Sequence, residues 1–248
     1  MSSSVLYAAP PSAAAEHCTF AAQAIRTLQP EQGDFGSVHD WFEILIRPQG
    51  AYVDYSPADF VNRLYKERET VLTDLEVLQR AVAWALSRDE SVRISVNTHP
   101  QSLTQRRFTQ SVLTAQEQLA RQGHSLCLEL IEYGTCKEKN LLVFNAQRLR
   151  RAGVLIALDD FGGRINCFDL CAAGIVDLLK IDLRFINSIE DDANQRAVVD
   201  SILALGKGLG AQVVAEGVET ARQASTLRRM GLHFAQGFYF HKPHLLDI

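Results

Sequence analysis

From about residue 40 onward, short β-branched or Leu-rich runs alternate with longer helix-patterned segments, and this alternation restricts the chain to parallel strands joined by crossover helices. The strand runs fall at residues 41–46, 92–96, 126–130, 154–158, 178–181, 212–215 and 233–234, with a weaker first run at 20–25. Between them, helix patterns cover 57–66 with 73–86, then 109–122, 141–151, 193–209 and 220–230. In 193–209, Val198, Ile202, Leu205 and Leu209 recur at three-to-four-residue spacing, which draws one apolar stripe down a helix, and Gly210 follows as its stop. Roughly eight strands are enough to close a (β/α)8-type barrel, and 248 residues is an ordinary length for one such domain. An open doubly wound sheet is the alternative. It is less favoured because no G-x-G-x-x-G turn follows a strand; the LGKGLG of residues 205–210 ends a helix instead.

Hydrophobic residues make up 47% of the chain and charged ones 22%, a balance that buries a substantial core. A formal net charge of −4 provides no global positive field for a nucleic acid polymer or an anionic membrane, so an anionic ligand needs local cations or metal. No apolar run approaches the ~18 residues of a membrane span. The five cysteines, Cys18, Cys127, Cys136, Cys167 and Cys171, form an odd count without paired CxxC spacing, as reduced thiols of a cytoplasmic protein would. Residues 1–17, rich in Ser, Ala and Pro and without a basic, apolar leader pattern, read as a flexible tail preceding a domain over 18–248.

Almost every strand run contains, or ends in, a residue able to bind a metal or a phosphate. The second carries Glu43, the third ends in Asn97, the fourth carries Glu129 with Glu132 behind it, and the fifth ends in Asp159 and Asp160. Lys180 and Asp182 mark the sixth, Glu216 and Glu219 follow the seventh, and Gln236 follows the eighth. In a barrel these strand ends converge on one face, where barrel active sites lie. Carboxylates gathered there repel one another unless cations neutralise them, and an oxygen-rich set suits Mg²⁺ or Mn²⁺ better than zinc. Two such ions would support phosphodiester hydrolysis, with Lys180 stabilising charge or orienting water.

The order of these blocks resembles the EAL-domain family of cyclic di-GMP phosphodiesterases over roughly residues 20–245. It rests on Glu43-Ile44-Leu45-Ile46-Arg47, Ser95-Val96-Asn97, Glu129-Leu130-Ile131-Glu132 and Leu158-Asp159-Asp160-Phe161-Gly162. It continues in Leu179-Lys180-Ile181-Asp182, Val214 to Thr220 and Ala235-Gln236-Gly237. The resemblance implies a modified TIM (β/α)8 barrel with an antiparallel first strand, cyclic di-GMP as ligand, linear pGpG as product, and a homodimer. It implies that Glu43, Asn97, Glu129 and Asp159 hold one ion, while Asp160 and Glu216 hold a second or position the attacking water. Lys180 assists that water, Gln236 supports the same site, Arg47 contacts a phosphate, and Gln23 matches the family's first-strand Gln. Asp182 and Glu219 are read as either substrate-side supports or helix-start charges, and Glu132 as the residue that ties down the loop after Asp160.

That loop departs from the family. Where Phe-Gly-Thr-Gly-Tyr-Ser-Ser is usual, this chain reads Phe161-Gly162-Gly163-Arg164-Ile165-Asn166-Cys167, and after Arg47 it has only Pro48-Gln49-Gly50. A second reading follows: a non-catalytic cyclic di-GMP receptor that signals to a regulatory protein partner. A pure interaction domain without nucleotide binding ranks third. Several residues have plainer readings. Asp160-Phe161-Gly162 without a His-Arg-Asp loop is not a kinase site; Cys167 and Cys171 pack in a helix; His99 has at most a subsidiary site role; His241 and His244 belong to an exposed tail.

Overall fold

The computed structural model describes residues 17–28, 40–66, 70–131, 136–163 and 167–246. The expected tail up to residue 16, the segment 29–39, Glu132 and the loop residues 164–166 lie outside them. The strands are β1 (Cys18–Thr27), β2 (Asp40–Pro48), β3 (Val92–Thr98), β4 (Ser125–Leu130), β5 (Leu155–Phe161), β6 (Leu178–Ile181), β7 (Gln212–Ala215), β8 (Phe234–Gln236) and β9 (His244–Leu245). The helices are α1 (Pro57–Lys66), α2 (Thr70–Leu86), α3 (Arg106–Ala120), α4 (Lys139–Arg151), α5 (Phe168–Ala172), α6 (Ala193–Leu209) and α7 (Ala221–Arg229).

Strands β2 to β8 pair in parallel in chain order, and β1 closes the ring by pairing antiparallel with both β2 and β8. The fold is therefore a closed eight-stranded barrel, as the run pattern predicts, and its first strand runs against the rest, as the family resemblance implies. A ninth strand, β9, adds antiparallel to β1 at Ala21 and Ala22. Neither β9 nor the five-residue α5 was expected, because elements of two and five residues are too short to show a hydrophobic period. The structure also shifts two boundaries that bear on the site: β1 is longer than 20–25, and β8 runs through Gln236 rather than ending at residue 234.

The two faces of each strand separate two cores. Phe42, Ile44, Val96, Leu128, Leu158 and Ile181 join the helices in the main apolar cluster. On the opposite face, Ile25, Trp41, Cys127, Ala157, Leu178 and Val214 form a second, smaller cluster that fills the lower lumen. Since side chains alternate across a strand, the residues two positions from this plug point into the lumen as well. Those residues are Gln23, Glu43, Glu129, Asp159, Lys180, Glu216 and Gln236. A strictly periodic chain thus builds a greasy layer and, immediately above it, a polar one.

Helix α6 corrects one detail of the sequence reading. Its buried residues are Val199, Ile202 and Gly206 rather than the stripe through Val198, Leu205 and Leu209. Gly206 explains the rotation: any Cβ there would collide with Val213 Cγ2 of β7, so the helix rests its glycine against the sheet. At its end Gly210 takes a left-handed conformation (φ 68°) and donates its N–H back to Gly206 and Lys207, the expected stop.

Candidate active site

Lys180 stands at the centre of the polar layer. Its Nζ lies 2.5 Å from Glu129 Oε2, 2.7 Å from Glu216 Oε1, 3.0 Å from Asp159 Oδ1 and 3.4 Å from Glu43 Oε2. These groups come from β2, β4, β5, β6 and the first residue after β7, so residues up to 173 positions apart in sequence share one ammonium. One cation among four buried or nearly buried carboxylates leaves surplus negative charge in a medium that solvates it poorly.

The titration behaviour follows from that imbalance. Burial pulls Lys180 down, but the surrounding Asp159, Glu129, Glu216 and Glu43 outweigh it and hold the ammonium charged well above its ordinary range. Burial likewise drives Glu43 up, yet Lys180 and two side-chain amides more than reverse this and keep it below the usual carboxylate range. Glu129 has no such amides. Burial, helped by repulsion from Glu43 and Asp159 and opposed by Lys180, pushes it up to about 8. Glu216 is raised well above the usual range, first by burial. Thus Glu43 is the anchored anion of the cluster, and Glu129 and Glu216 are the members whose charged form is least favoured.

The amides around Glu43 are arranged to favour its charged form. Asn97 Nδ2 donates to Oε1 at 2.7 Å, and Gln236 Nε2 donates to Oε2 at 2.7 Å and to Gln23 Oε1 at 3.1 Å. With both amide nitrogens turned to Glu43, the oxygens Asn97 Oδ1 and Gln236 Oε1 are left buried without a donor, as is Glu129 Oε1. Asp159 Oδ1 lies 3.0 Å from the ammonium yet receives no well-directed hydrogen bond. Orphaned buried acceptors are uncommon in folded proteins. Four of them on residues that surround or contact the Lys180–Glu43 cluster, all oxygen, match the donor chemistry of a hard divalent cation. As they stand, no three His, Cys, Asp or Glu among the described residues are grouped tightly enough to hold an ion by themselves; the ammonium of Lys180 holds the middle of the group.

Asp160 sits at the rim beside a break in the β5–β6 ladder between Leu158 and Phe161. It adopts a left-handed backbone (φ 50°), the one non-glycine residue with positive φ among those described. Asp tolerates this conformation better than most residues, and the irregularity lets two consecutive carboxylates serve the mouth instead of pointing to opposite faces. Burial of the Asp160 carboxyl, then repulsion from Asp159 and Asp182, push it up to about 6.

Not every expected residue joins the cluster. The Asp182 carboxylate starts the one-turn helix at residues 183–185: it accepts from Arg184 N at 2.8 Å and from Arg184 Nε and Nη2 at 2.9 and 2.6 Å. Glu219 is exposed, and its backbone N–H belongs to the start of α7, donating to Gln223 Oε1 at 2.8 Å. Arg47 lies two lumen-facing positions beyond Glu43, half-buried, with Nη1 donating to Ile46 O. His99 is part of a structural knot: its N–H donates to buried Asp74, which also accepts from Tyr65. Asp182 and Arg184 also account for Gly163, because a Cβ at that position would collide with both side chains. With the Asp182–Arg184 pair as it stands, a side chain at 163 would have to displace the arginine. Sequence reasoning missed Arg184, whose only signal was its adjacency to the Lys180-Ile181-Asp182 block, and it misread His241. That residue is half-buried against β1, accepting from Ala24 N through Nδ1 at 3.3 Å and from Gln23 Nε2 through its carbonyl at 3.2 Å.

Residues 32–243 match the EAL domain, which covers the whole of this cluster except Gln23. The chain belongs to the EAL domain family. Among its relatives, "Probable cyclic di-GMP phosphodiesterase PdeG" of Escherichia coli (strain K12) is 31% identical over 81% of this chain and 41% of its own length. The chain spans less than half the length of the curated relatives it matches first. The solved structure of the PaMucR phosphodiesterase in a c-di-GMP complex superposes with a TM-score of 0.74 at 25% identity, covering 92% of each chain. The FimX EAL domain from Pseudomonas aeruginosa bound to c-di-GMP, 20% identical over 92% of this chain and 91% of its own, superposes at 0.77 and shows the shared fold. Among the described residues, no helix is long and apolar enough to cross a membrane.

Proposed function

We propose that this EAL domain hydrolyses cyclic di-GMP to linear pGpG with the help of two divalent ions, Mg²⁺ or Mn²⁺. The observation that carries the reading is the convergence of Glu43, Glu129, Asp159 and Glu216 on Lys180, beside buried oxygens that have no donor. Binding a nucleotide does not require so many acidic groups in one place; neutralising them with metal does. Glu43, Asn97, Glu129 and Asp159 would hold one ion, and Asp160 with Glu216 the second. When bound, such ions supply the positive charge that activates water and steadies a departing oxygen.

The remaining work falls to the chain's own side chains. Lys180, held protonated by its carboxylate partners, orients the attacking water and offsets the charge that builds on the phosphoryl oxygens. Arg47, at the mouth above Glu43, takes a phosphate of the ligand. Gln236 and Gln23 keep Glu43 aligned, and the apolar plug beneath closes the lumen to bulk water from below. Water adds at one phosphorus, the bond from that phosphorus to the 3′ oxygen breaks, and the 3′ oxygen leaves with a proton as the ring opens. Glu132 and the loop after Asp160 govern how readily the site assembles, in a homodimer that answers to a regulatory partner.

The test is turnover by purified protein with Mg²⁺ or Mn²⁺, followed by chromatographic detection of pGpG. The reading expects product with at least one ion and none for Glu43→Ala. Tight binding of cyclic di-GMP without product under either ion would replace the enzyme by a receptor, the outcome that the changed loop at Gly163 favours.

A further inference from the structure

The geometry points to His241 as a positioning residue that holds the Glu43 side of the site through Gln23 and Gln236. The outer edge of β1 is covered in two pieces, by β8 at Ile25, Arg26 and Thr27 and by β9 at Ala21 and Ala22. Residues 23 and 24 fall in the gap, at the level of the cluster. His241 fills it. Its Nδ1 accepts the Ala24 N–H at 3.3 Å, which no strand claims on that edge, and its carbonyl accepts Gln23 Nε2 at 3.2 Å. The residue is itself fixed by its own N–H on Gly237 O at 3.0 Å and by an edge contact with the His244 ring, centroids 5.0 Å apart.

The consequence runs inward. With its nitrogen on His241, the Gln23 amide must present its oxygen to Gln236 Nε2, at 3.1 Å. That contact aims the other hydrogen of the same nitrogen at Glu43 Oε2, at 2.7 Å, and leaves Gln236 Oε1 as one of the donorless oxygens. If Gln23 were reversed, two NH₂ groups would face each other and Gln236 would lose its reason to serve Glu43. The His241 carbonyl therefore sets the orientation of two amides and, through them, of the anchored carboxylate, and the ring acts by holding that carbonyl in place through its bond from the Ala24 N–H. Direct partners of a metal ligand, as Gln236 is to Glu43, typically alter metal affinity by roughly 10–100-fold when removed, and His241, two contacts further out, belongs at the low end of that range.

This inference deepens the proposed metal site and rests on it for one of its two readouts. His241→Ala and His241→Leu remove the ring acceptor, while His241→Asn retains one. Calorimetric titration with Mn²⁺ is expected to show roughly 10-fold weaker binding for Ala and Leu and near-normal binding for Asn. Nuclear magnetic resonance of the metal-free protein supplies the second readout: the side-chain NH₂ groups of Gln23 and Gln236 should exchange with solvent faster in Ala and Leu, and not in Asn. If the unaltered protein binds no Mn²⁺, the metal reading fails and amide exchange alone decides the role of His241. Unchanged exchange in both variants overturns it. So does failure of both to fold while Asn folds normally, since His241 would then support the barrel and not the site.

Discussion

Two layers of the same lumen, one two residues further along each strand than the other, behave as opposites. The lower layer, Trp41, Cys127, Ala157, Leu178 and Val214, is apolar and closed: Trp41 meets Phe234 edge-on at 5.6 Å, and Arg93 lies over the Trp41 ring at 4.9 Å. The upper layer, Glu43, Glu129, Asp159, Lys180 and Glu216, is charged, imbalanced and short of donors. The plug contributes stability through area removed from water; the charged layer, by desolvating several ionisable groups, opposes folding. The contrast teaches that one strand pattern can separate stability from chemistry by a single alternation.

Experiments that exchange the behaviour of the layers would break this contrast. The largest effect is expected from Glu43→Ala, which deletes the anchored carboxylate and strands the amides of Asn97 and Gln236; turnover assays should find no product while circular dichroism shows a folded barrel. Lys180→Met removes the one cation shared by four carboxylates. Without metal it should cost about 3–5 kcal/mol of stability, as breaking a buried ion pair does, measured by urea unfolding; a small loss would mean the carboxylates are already neutral. Leu178→Ala in the lower layer should cost about 2–5 kcal/mol while leaving Mn²⁺ affinity within a few-fold of normal. Loss of metal binding there would show that the layers are not separable.

A pH series sharpens the comparison further. Glu129 binds its proton more tightly folded than unfolded, its value moving from near 4.5 to about 8, so the folded state carries the extra proton in that window. Its contribution to stability is therefore full below about 4.5 and lost as pH rises through about 8. The midpoint of thermal unfolding in metal-free buffer should fall over that range, and Mn²⁺ should restore more of it at pH 8 than at pH 5. The smallest effect belongs to Trp41→Phe, which deletes the indole hydrogen bond to Ser95 Oγ at 2.9 Å. It should cost about 1 kcal/mol in unfolding experiments, with no change in the pH series.

Much of the barrel was legible because its signals are local. Runs such as residues 178–181 and 212–215 coincide with β6 and β7, since a short apolar stretch bounded by polar turns reveals itself within a few residues. The residues that crowd Lys180 were all named from within or at the ends of such runs, because barrel topology delivers the strands' C-terminal parts to one face. What escaped were features whose cause lies elsewhere in the chain. β9 exists because β1 offers it an edge, and His241 is drawn inward by a gap between two strands.

By itself, the sequence determined that the chain would alternate strands and helices, and that acidic and amide side chains would end the strands, because periodicity and residue chemistry are properties of neighbours. Only the tertiary structure decided which oxygen meets which nitrogen. The separation of Lys180 from Glu43, 137 positions in sequence and 3.4 Å in space, depends on ring closure by an antiparallel β1. So do the donors that Asn97 and Gln236 give to Glu43 and withhold from their own oxygens. Hydrogen bonds and Coulomb forces act over a few ångströms, and no local pattern records which distant groups folding will bring that close.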